Sequence, residues 1–352
     1  MLHRTDDVHI RSLKPLIAPA VLAEELPLSE EVSTLVWKAR EEAADIISGR
    51  NDRVLAVVGP CSIHDLTAAL EYAGRLKKCT DRLADDLLVI MRVYFEKPRT
   101  TVGWKGLIND PGLDGSFDIN RGLHLARRVL LDLGILGMPA GSEFLDAISP
   151  QYTADLISWG AIGARTTESQ VHRELASGLS MPIGFKNGTD GNIQVAVDAI
   201  GAARNVHHFL SVNKQGTSAI VETQGNNDCH LILRGSNAGP NYDGEAVASA
   251  TVALEQRELG ARVMVDCSHG NSRKDPRRQV AVVDDLCGQL AGGSQSICGV
   301  MIESHLVEGR QNIGDGKNLN YGQSITDACL GWDDTAPLLE SLAAAVRKRR
   351  AQ

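Results

Sequence analysis

From Arg53 onward, short apolar runs alternate with longer segments whose apolar positions recur every three or four residues. Residues 54–58 are continuously apolar, of buried-strand length, and close on Gly59-Pro60-Cys61. The next segment places Leu66, Ala69, Leu70, Ala73 and Leu76 on one helical face. The alternation repeats with a strand at 87–93 carrying Arg92 near its end, a helix at 119–133, and a strand at 138–142 ending at Glu143. Two shorter runs, 161–164 and 182–185, deliver Arg165 and Lys186. Between them Val171, Leu175 and Leu179 keep helical spacing, and Thr167 with Gln170 predicts a capping box at that helix's start. A helix bearing Ile193, Ala196, Val197 and Ile200 follows. Further strands precede Arg234, the Asp266-Cys267-Ser268-His269 segment and Glu303, with helices near 245–258 and 276–291. Eight strands, each followed by a polar or ionisable group, predict a (β/α)8 TIM barrel whose active face lies at the strand C-termini. A doubly wound open sheet is the competing arrangement, but no GxGxxG or GxxxxGK[ST] loop supports a nucleotide-binding version of it.

Three stretches depart from this rhythm. Residues 1–50 contain Pro15, Pro19, Pro27 and one helix at about 29–48 ended by Gly49, and read as an N-terminal extension packed on the barrel or on a neighbouring subunit. Residues 206–224 place two strand-like runs around Asn213-Lys214-Gln215-Gly216-Thr217, turn chemistry that predicts an inserted β-hairpin. The catalytic barrel is expected over 51–340, with 341–352 as a C-terminal tail. The loop at 94–116, rich in Gly, Pro and Lys, is too long for an idle connection.

Composition narrows the class. The 352 residues are 43% hydrophobic and 23% charged, as in a globular protein, and the net charge of −8 argues against a nucleic-acid surface. Seven cysteines without CxxC pairs suggest reduced thiols and a cytoplasmic location. No apolar run approaches the ~18 residues of a membrane span.

The ionisable groups at the strand ends then gain meaning. Arg92, Arg165, Lys186 and Arg234 follow strands two, four, five and six, and together could hold a phosphate and a carboxylate. Bare convergence would be repulsive, so either a multiply charged anion or acidic neighbours must accompany them. Cys61, His269, Glu303 and Asp327 form a mixed set of sulfur, nitrogen and oxygen donors suited to Mn²⁺, Fe²⁺, Zn²⁺ or Co²⁺; a buried cysteine acting as a small apolar residue is the plainer reading. Lys97, Arg99 and Thr100 offer a second anion grip, or else a solvated charged loop. Lys186 also fits a Schiff-base lysine.

At these residues the chain resembles the type I 3-deoxy-D-arabino-heptulosonate 7-phosphate (DAHP) synthases. The resemblance rests on Gly59-Pro60-Cys61-Ser62-Ile63-His64-Asp65, Lys97-Pro98-Arg99-Thr100, the blocks at 163–180 and 184–191, Leu233-Arg234-Gly235, Asp266-Cys267-Ser268-His269-Gly270-Asn271 and Ser324-Ile325-Thr326-Asp327. The sister family that makes an eight-carbon keto sugar phosphate has a Lys-Ala-Asn-Arg-Ser segment where Lys97 to Thr100 stand, which favours the four-carbon aldehyde. The resemblance implies metal-dependent condensation of phosphoenolpyruvate with erythrose 4-phosphate, with Mn²⁺ the favoured ion. It implies that Ala164, Arg165, Lys186 and Arg234 hold the phosphoenolpyruvate phosphate, with Arg92 and Lys97 near its carboxylate. Arg99 and Thr100 would take the aldose phosphate, and Cys61, His269, Glu303 and Asp327 the metal. Lys97 would donate a proton and Glu143 would place water.

The resemblance also gives the odd segments a purpose. In feedback-inhibited members the extension and hairpin build an aromatic amino acid site. Here it would comprise Pro150, Gln151, Leu179, Ser180, Phe209, Ser211 and Val221, with Asp6, Asp7 and Ile10 from a neighbouring subunit of a homodimer or tetramer. Phenylalanine-sensitive members tend to have Ser at the place of Ser211 and tyrosine-sensitive ones Gly, a hydroxyl there crowding the space a phenol needs. Asp6 and Asp7 match the phenylalanine-sensitive pattern as well, so the resemblance favours phenylalanine over tyrosine, then tryptophan. A non-catalytic metabolite sensor is the alternative from outside the enzymes.

Overall fold

A computed structural model of the chain describes residue 3, residues 5–99 and residues 101–352. Eight parallel strands close a barrel in chain order: β1 (Val54–Gly59), β2 (Leu87–Arg92), β3 (Ala140–Glu143), β4 (Trp159–Ile162), β5 (Ile183–Lys186), β6 (Cys229–Leu233), β7 (Val263–Asp266) and β8 (Ile297–Glu303). The circle closes with β8 on β1, where the register sets Gly59 beside Glu303 and so brings the Cys61 loop against the end of β8. Helices cover the outside, so every barrel strand is buried on both faces. That is why the strands read as unbroken apolar runs rather than as alternations. Val54, Ala56 and Val58 join the core under the helices, whereas Leu55 and Val57 join Trp159, Ile232 and Met301 in a second, inner core.

The N-terminal extension forms α1 (Pro19–Glu25) and α2 (Glu30–Ser48). The Ser29 hydroxyl accepts from the Val32 N–H to start α2, and Gly49, at φ 84°, ends it in the left-handed region where a side chain is disfavoured. Ala43 and Ile46 enter the inner core. Arg262, which leads into β7, donates to the Ile46 carbonyl at 2.7 Å, and Arg53, which leads into β1, pairs with Glu42. α2 therefore plugs the mouth where the strands begin, leaving the other mouth for chemistry.

The expected hairpin is present as His208–Val212 paired antiparallel with Ser218–Glu222, outside the barrel on the crossover from β5 to β6. The Asn213 side chain accepts from the N–H groups of Gln215 and Thr217, and Gly216 supplies the positive φ the turn requires. The Lys214 carbonyl accepts from the Ala20 N–H, fastening the turn to α1.

Two local expectations fail. The capping box does not form: the helix runs Gln170–Gly178 after Ser169, without a side-chain cap. Thr167 is buried, its hydroxyl 2.8 Å from the Lys186 carbonyl and 3.1 Å from that of Gly163, so it ties the ends of β4 and β5 together. Residues 341–352 are not a tail, because one helix spans Trp332–Arg350. Its Leu342, Ala343 and Val346 are fully buried, and Arg350 pairs with Asp52 and Asp86 at the plugged end of the barrel. Deleting 341–352 strips about 1.5–3 kcal/mol for each large apolar side chain lost from the core. Thermal unfolding of the truncated chain should shift down by at least about 10 °C, or lose its cooperative transition.

Candidate active site

At the open mouth the strand ends converge on one pocket. Lys97, Arg99, Glu143, Ala164, Arg165, Lys186, Arg234, His269 and Asp327 all line it. Their neutralisation is uneven. Lys186 Nζ meets Asp266 Oδ2 at 2.9 Å. Arg99 Nε donates to the Trp104 carbonyl at 2.7 Å, and Arg165 Nη1 to the Pro98 carbonyl at 3.1 Å. Among the described residues no carboxylate lies within ion-pair distance of Arg99, Arg165 or Arg234. Burial lowers the pKa of Arg234, outweighing the pull of Asp266 in the opposite direction. Gly163 lets the two sides meet: a Cβ there would stand 2.4 Å from Glu143 Oε1.

Arg92 departs from the sequence-based picture. It does not line the pocket; it is fully buried beneath it, 2.7 Å from Glu303 and donating to the Pro60 carbonyl, with its guanidinium 3.6 Å over the Tyr94 ring. The acidic-neighbour reading thus holds for Arg92 and Lys186, and the anion reading remains for the three unpaired arginines. Thr100 lies outside the described residues.

Beside the cations, ligand atoms of Cys61, Glu303 and Asp327 all lie within 4.8 Å of one another. Cys61 Sγ is 3.6 Å from Asp327 Oδ2, and His269 Nε2 is 3.9 Å from Glu303 Oε1. Burial opposes the charge on Glu303, but Arg92 and His269 outweigh it and lower the pKa; at Asp327, Lys97 and His269 do the same against burial. Burial, followed by Glu303, pushes the Cys61 thiol up to about 11. Two ionised carboxylates, an imidazole and a thiol that only a strong local cation would deprotonate fit a divalent transition metal. Lys97 Nζ stands 3.1 Å from Cys61 Sγ, a positive charge beside the thiol.

Asp266 is the main residue the sequence reading passed over. Its Oδ2 lies 2.9 Å from Lys186 Nζ and 2.8 Å from His269 Nδ1, so one buried oxygen fixes both a pocket cation and a candidate ligand. The His269 Nδ1 contact is close but is not aligned as a hydrogen bond. Burial raises the Asp266 pKa, and His269 and Lys186 more than reverse this. Ser268 and Gln279 also escaped notice: the Ser268 hydroxyl donates to Glu303 Oε2 at 2.9 Å, and the Gln279 amide clasps the Glu303 backbone from both sides. Asp266 and Ser268 stand in the segment that drew attention to His269, the only sequence signal that could have found them.

A second pocket opens on the flank. Pro150, Gln151, Leu179, Ser180, Phe209, Ser211 and Val221 all line it, together with Leu28, Ser33, Arg40, Asp155 and Lys214, which the sequence did not single out. Strand alternation in the hairpin explains the selection: Phe209, Ser211 and Val221 are half-buried, whereas Leu210 and Ile220 are 87% and 78% exposed. Asp6, Asp7 and Ile10 are exposed and do not line the pocket of their own chain.

A family model described as the DAHP synthetase I family matches residues 27–340. The chain belongs to this family. It is 58% identical over 350 residues to a Phe-sensitive phospho-2-dehydro-3-deoxyheptonate aldolase of Escherichia coli strain K12, covering 99% of this chain and 100% of that protein. It is 53% identical over 349 residues to a tyrosine-inhibited enzyme of the same name from Schizosaccharomyces pombe, covering 98% and 94% respectively. The solved phospho-2-dehydro-3-deoxyheptonate aldolase of Francisella tularensis SCHU S4 superposes with a TM-score of 0.95 at 55% identity, covering 97% of this chain and 99% of that one. As a DAHP synthetase I family member the chain is an enzyme, a transferase of the 3-deoxy-7-phosphoheptulonate synthase type.

Proposed function

We propose that this chain condenses phosphoenolpyruvate with D-erythrose 4-phosphate and water, giving DAHP and inorganic phosphate, the first step of the shikimate pathway to chorismate and the aromatic amino acids. The observation that carries the reading is three unpaired arginines and Lys186 sharing one pocket with His269 and Asp327, the Cys61–Glu303–Asp327 cluster at its edge. Arg165, Lys186 and Arg234, with Ala164 alongside, hold the phosphoenolpyruvate phosphate. Arg99 and Thr100 hold the aldose phosphate at the other end, which aligns the enol carbon with the aldehyde. Cys61, His269, Glu303 and Asp327 would hold a divalent ion, manganese being the favoured one, which when bound would supply Lewis-acid polarisation of that aldehyde.

The enol carbon then forms the new C–C bond and the carbonyl pair moves to oxygen. Burial opposes the charge on Lys97, but Cys61 and Glu303 more than compensate and raise its pKa, so Lys97 stands as an ammonium ready to protonate the new alkoxide. The cationic carbon left on the phosphoenolpyruvate unit accepts water, oriented by Glu143, and C–O cleavage expels phosphate with its electron pair. Arg92, held under Glu303, and Lys97 lie near the phosphoenolpyruvate carboxylate and supply positive potential there.

The flank pocket takes an aromatic amino acid, phenylalanine ahead of tyrosine and tryptophan. Ser211 beside Phe209 narrows the place of a para-hydroxyl, and the relatives' names include both Phe-sensitive and tyrosine-inhibited forms. Asp6, Asp7 and Ile10 complete it from a neighbouring copy, so the working form is a dimer or tetramer. Among the described residues no helix is long and apolar enough to cross a membrane, in keeping with a cytoplasmic enzyme.

The test is phosphate release from the two substrates after chelation. Activity should vanish, return with Mn²⁺, and fall again on adding phenylalanine. Turnover that survives chelation together with borohydride trapping on Lys186 would replace this mechanism with a Schiff base. Ligand-dependent stability without turnover under any divalent metal would point to a sensor.

A further inference from the structure

Another cavity, of about 340 Å³, adjoins the reaction pocket and shares Arg234 and His269 with it as a common wall. Arg273 and Lys274 line it as well, and no carboxylate does. Among the described residues, neither of these two cations has a carboxylate within ion-pair distance. Asp275, the next residue, is engaged elsewhere: its Oδ1 accepts from the Arg277 N–H and its Oδ2 lies 3.6 Å from Arg278. No apolar side chain larger than Ala238 lines the cavity, so a ring or an acyl chain has nothing to pack against.

The walls are the loops after β6 and β7, which press on each other. A Cβ on Gly235 would stand 2.5 Å from the Asn271 nitrogen, and one on Gly270 would stand 2.4 Å from that of Ser236. Three asparagines join the loops: Asn187 Oδ1 accepts from the Arg234 N–H, Asn241 Oδ1 from that of Gly235, and Asn271 Oδ1 from that of Asn241. On this frame Arg273 and Lys274 take consecutive left-handed conformations, φ 53° and 63°, and the Lys274 N–H closes the turn on the His269 carbonyl at 2.8 Å. Two non-glycine residues in a row in that region are costly, and such strain collects where a chain must hold side chains for a ligand. Here it sets two unpaired cations beside the reaction pocket.

We propose that this cavity is a seat for inorganic phosphate, occupied by the leaving group once C–O cleavage frees it. This rests on the substrate reading above. Arg234 can face both cavities, because a guanidinium carries five donors in a fixed fork. Phosphate released from Arg165 and Lys186 therefore keeps one charge-assisted contact while it gains Arg273 and Lys274. The ion is never stripped of all its partners at once, and the first seat is cleared for the next substrate.

The test titrates inorganic phosphate by calorimetry into the full-length, Mn²⁺-loaded chain saturated with phosphoenolpyruvate, with the aldose left out so that nothing turns over. Arg99→Ala in that protein removes the grip of the aldose-phosphate seat, and phosphoenolpyruvate fills the other. One phosphate per chain should still bind. Adding Arg273→Asn and Lys274→Asn, since asparagine tolerates the left-handed backbone, should weaken it by at least about tenfold and leave phosphoenolpyruvate affinity unchanged. In turnover with native Arg99, added phosphate should cause an inhibition that saturation with both substrates does not relieve, and the double substitution should abolish it. No phosphate uptake, uptake that survives the double substitution, or inhibition wholly relieved by the substrates overturns the inference. Lys274→Asn alone decides, by a smaller loss in the same direction, if the double variant does not fold. Phosphoenolpyruvate that fails to bind overturns the reading of the first seat instead.

Discussion

Replacing Cys61 by alanine should leave a folded barrel whose turnover is down by roughly three orders of magnitude or more, the scale set by several kcal/mol of lost charge stabilisation at ~1.4 kcal/mol per tenfold. The thiol is fully buried in the loop after β1, and the β1–β8 register holds it against Glu303. Removing it takes one donor from the close Cys61–Glu303–Asp327 group and leaves two carboxylates facing each other, with Lys97, Arg92 and His269 nearby. Circular dichroism should match the native chain, while metal retained after gel filtration should fall sharply. Full turnover in a metal-depleted Cys61→Ala variant would remove the donor set from the mechanism.

Asp266→Asn should be nearly as damaging, by a different route. The native carboxylate serves Lys186 and His269 through one oxygen, and the amide puts at most a neutral dipole in its place. Leaving the buried Lys186 without its counter-charge costs about 3–5 kcal/mol of stability. Loss of the group that orients a metal-binding imidazole typically costs about 10–100-fold in metal affinity. The pH dependence carries the sign of a lowered carboxyl. The native contribution is present above the unfolded carboxylate range and is lost as pH falls through the depressed folded value, so the gap between native and variant should close in acid. Thermal unfolding across that range and a Mn²⁺ titration check both halves; an equal stability gap at every pH would contradict the ion-pair account.

What could be read ahead of the structure follows from which interactions are local. The eight apolar runs and the polar residue ending each are properties of consecutive residues, and so is the Asn213–Gly216 turn that announces the hairpin. The partner of a strand-end charge is not, since Lys186 and Asp266 are 80 positions apart and meet only because β5, β6 and β7 close side by side. The position of Arg92 on β2 is legible in the sequence, but its burial and its tie to Glu303 across the barrel are not. The docking of the last helix is not legible locally, because Asp52 and Asp86, which Arg350 meets, lie far back in the chain. Thr167 was given a cap because Gln170 sits three residues on, though a buried hydroxyl between two carbonyls satisfies it better.

The hairpin hangs on a crossover while the β5–β6 ladder beneath it runs on uninterrupted. Residues on its inner face can therefore drift without disturbing a single barrel hydrogen bond or any strand-end side chain. If the flank pocket takes an effector as proposed, then in a lineage carrying duplicate copies of such a gene its wall is free to diverge toward different metabolites while the reaction stays under purifying selection. One catalyst can in this way be placed under several independent end-product controls, each acquired by changing a few residues of an ornament on the barrel's flank.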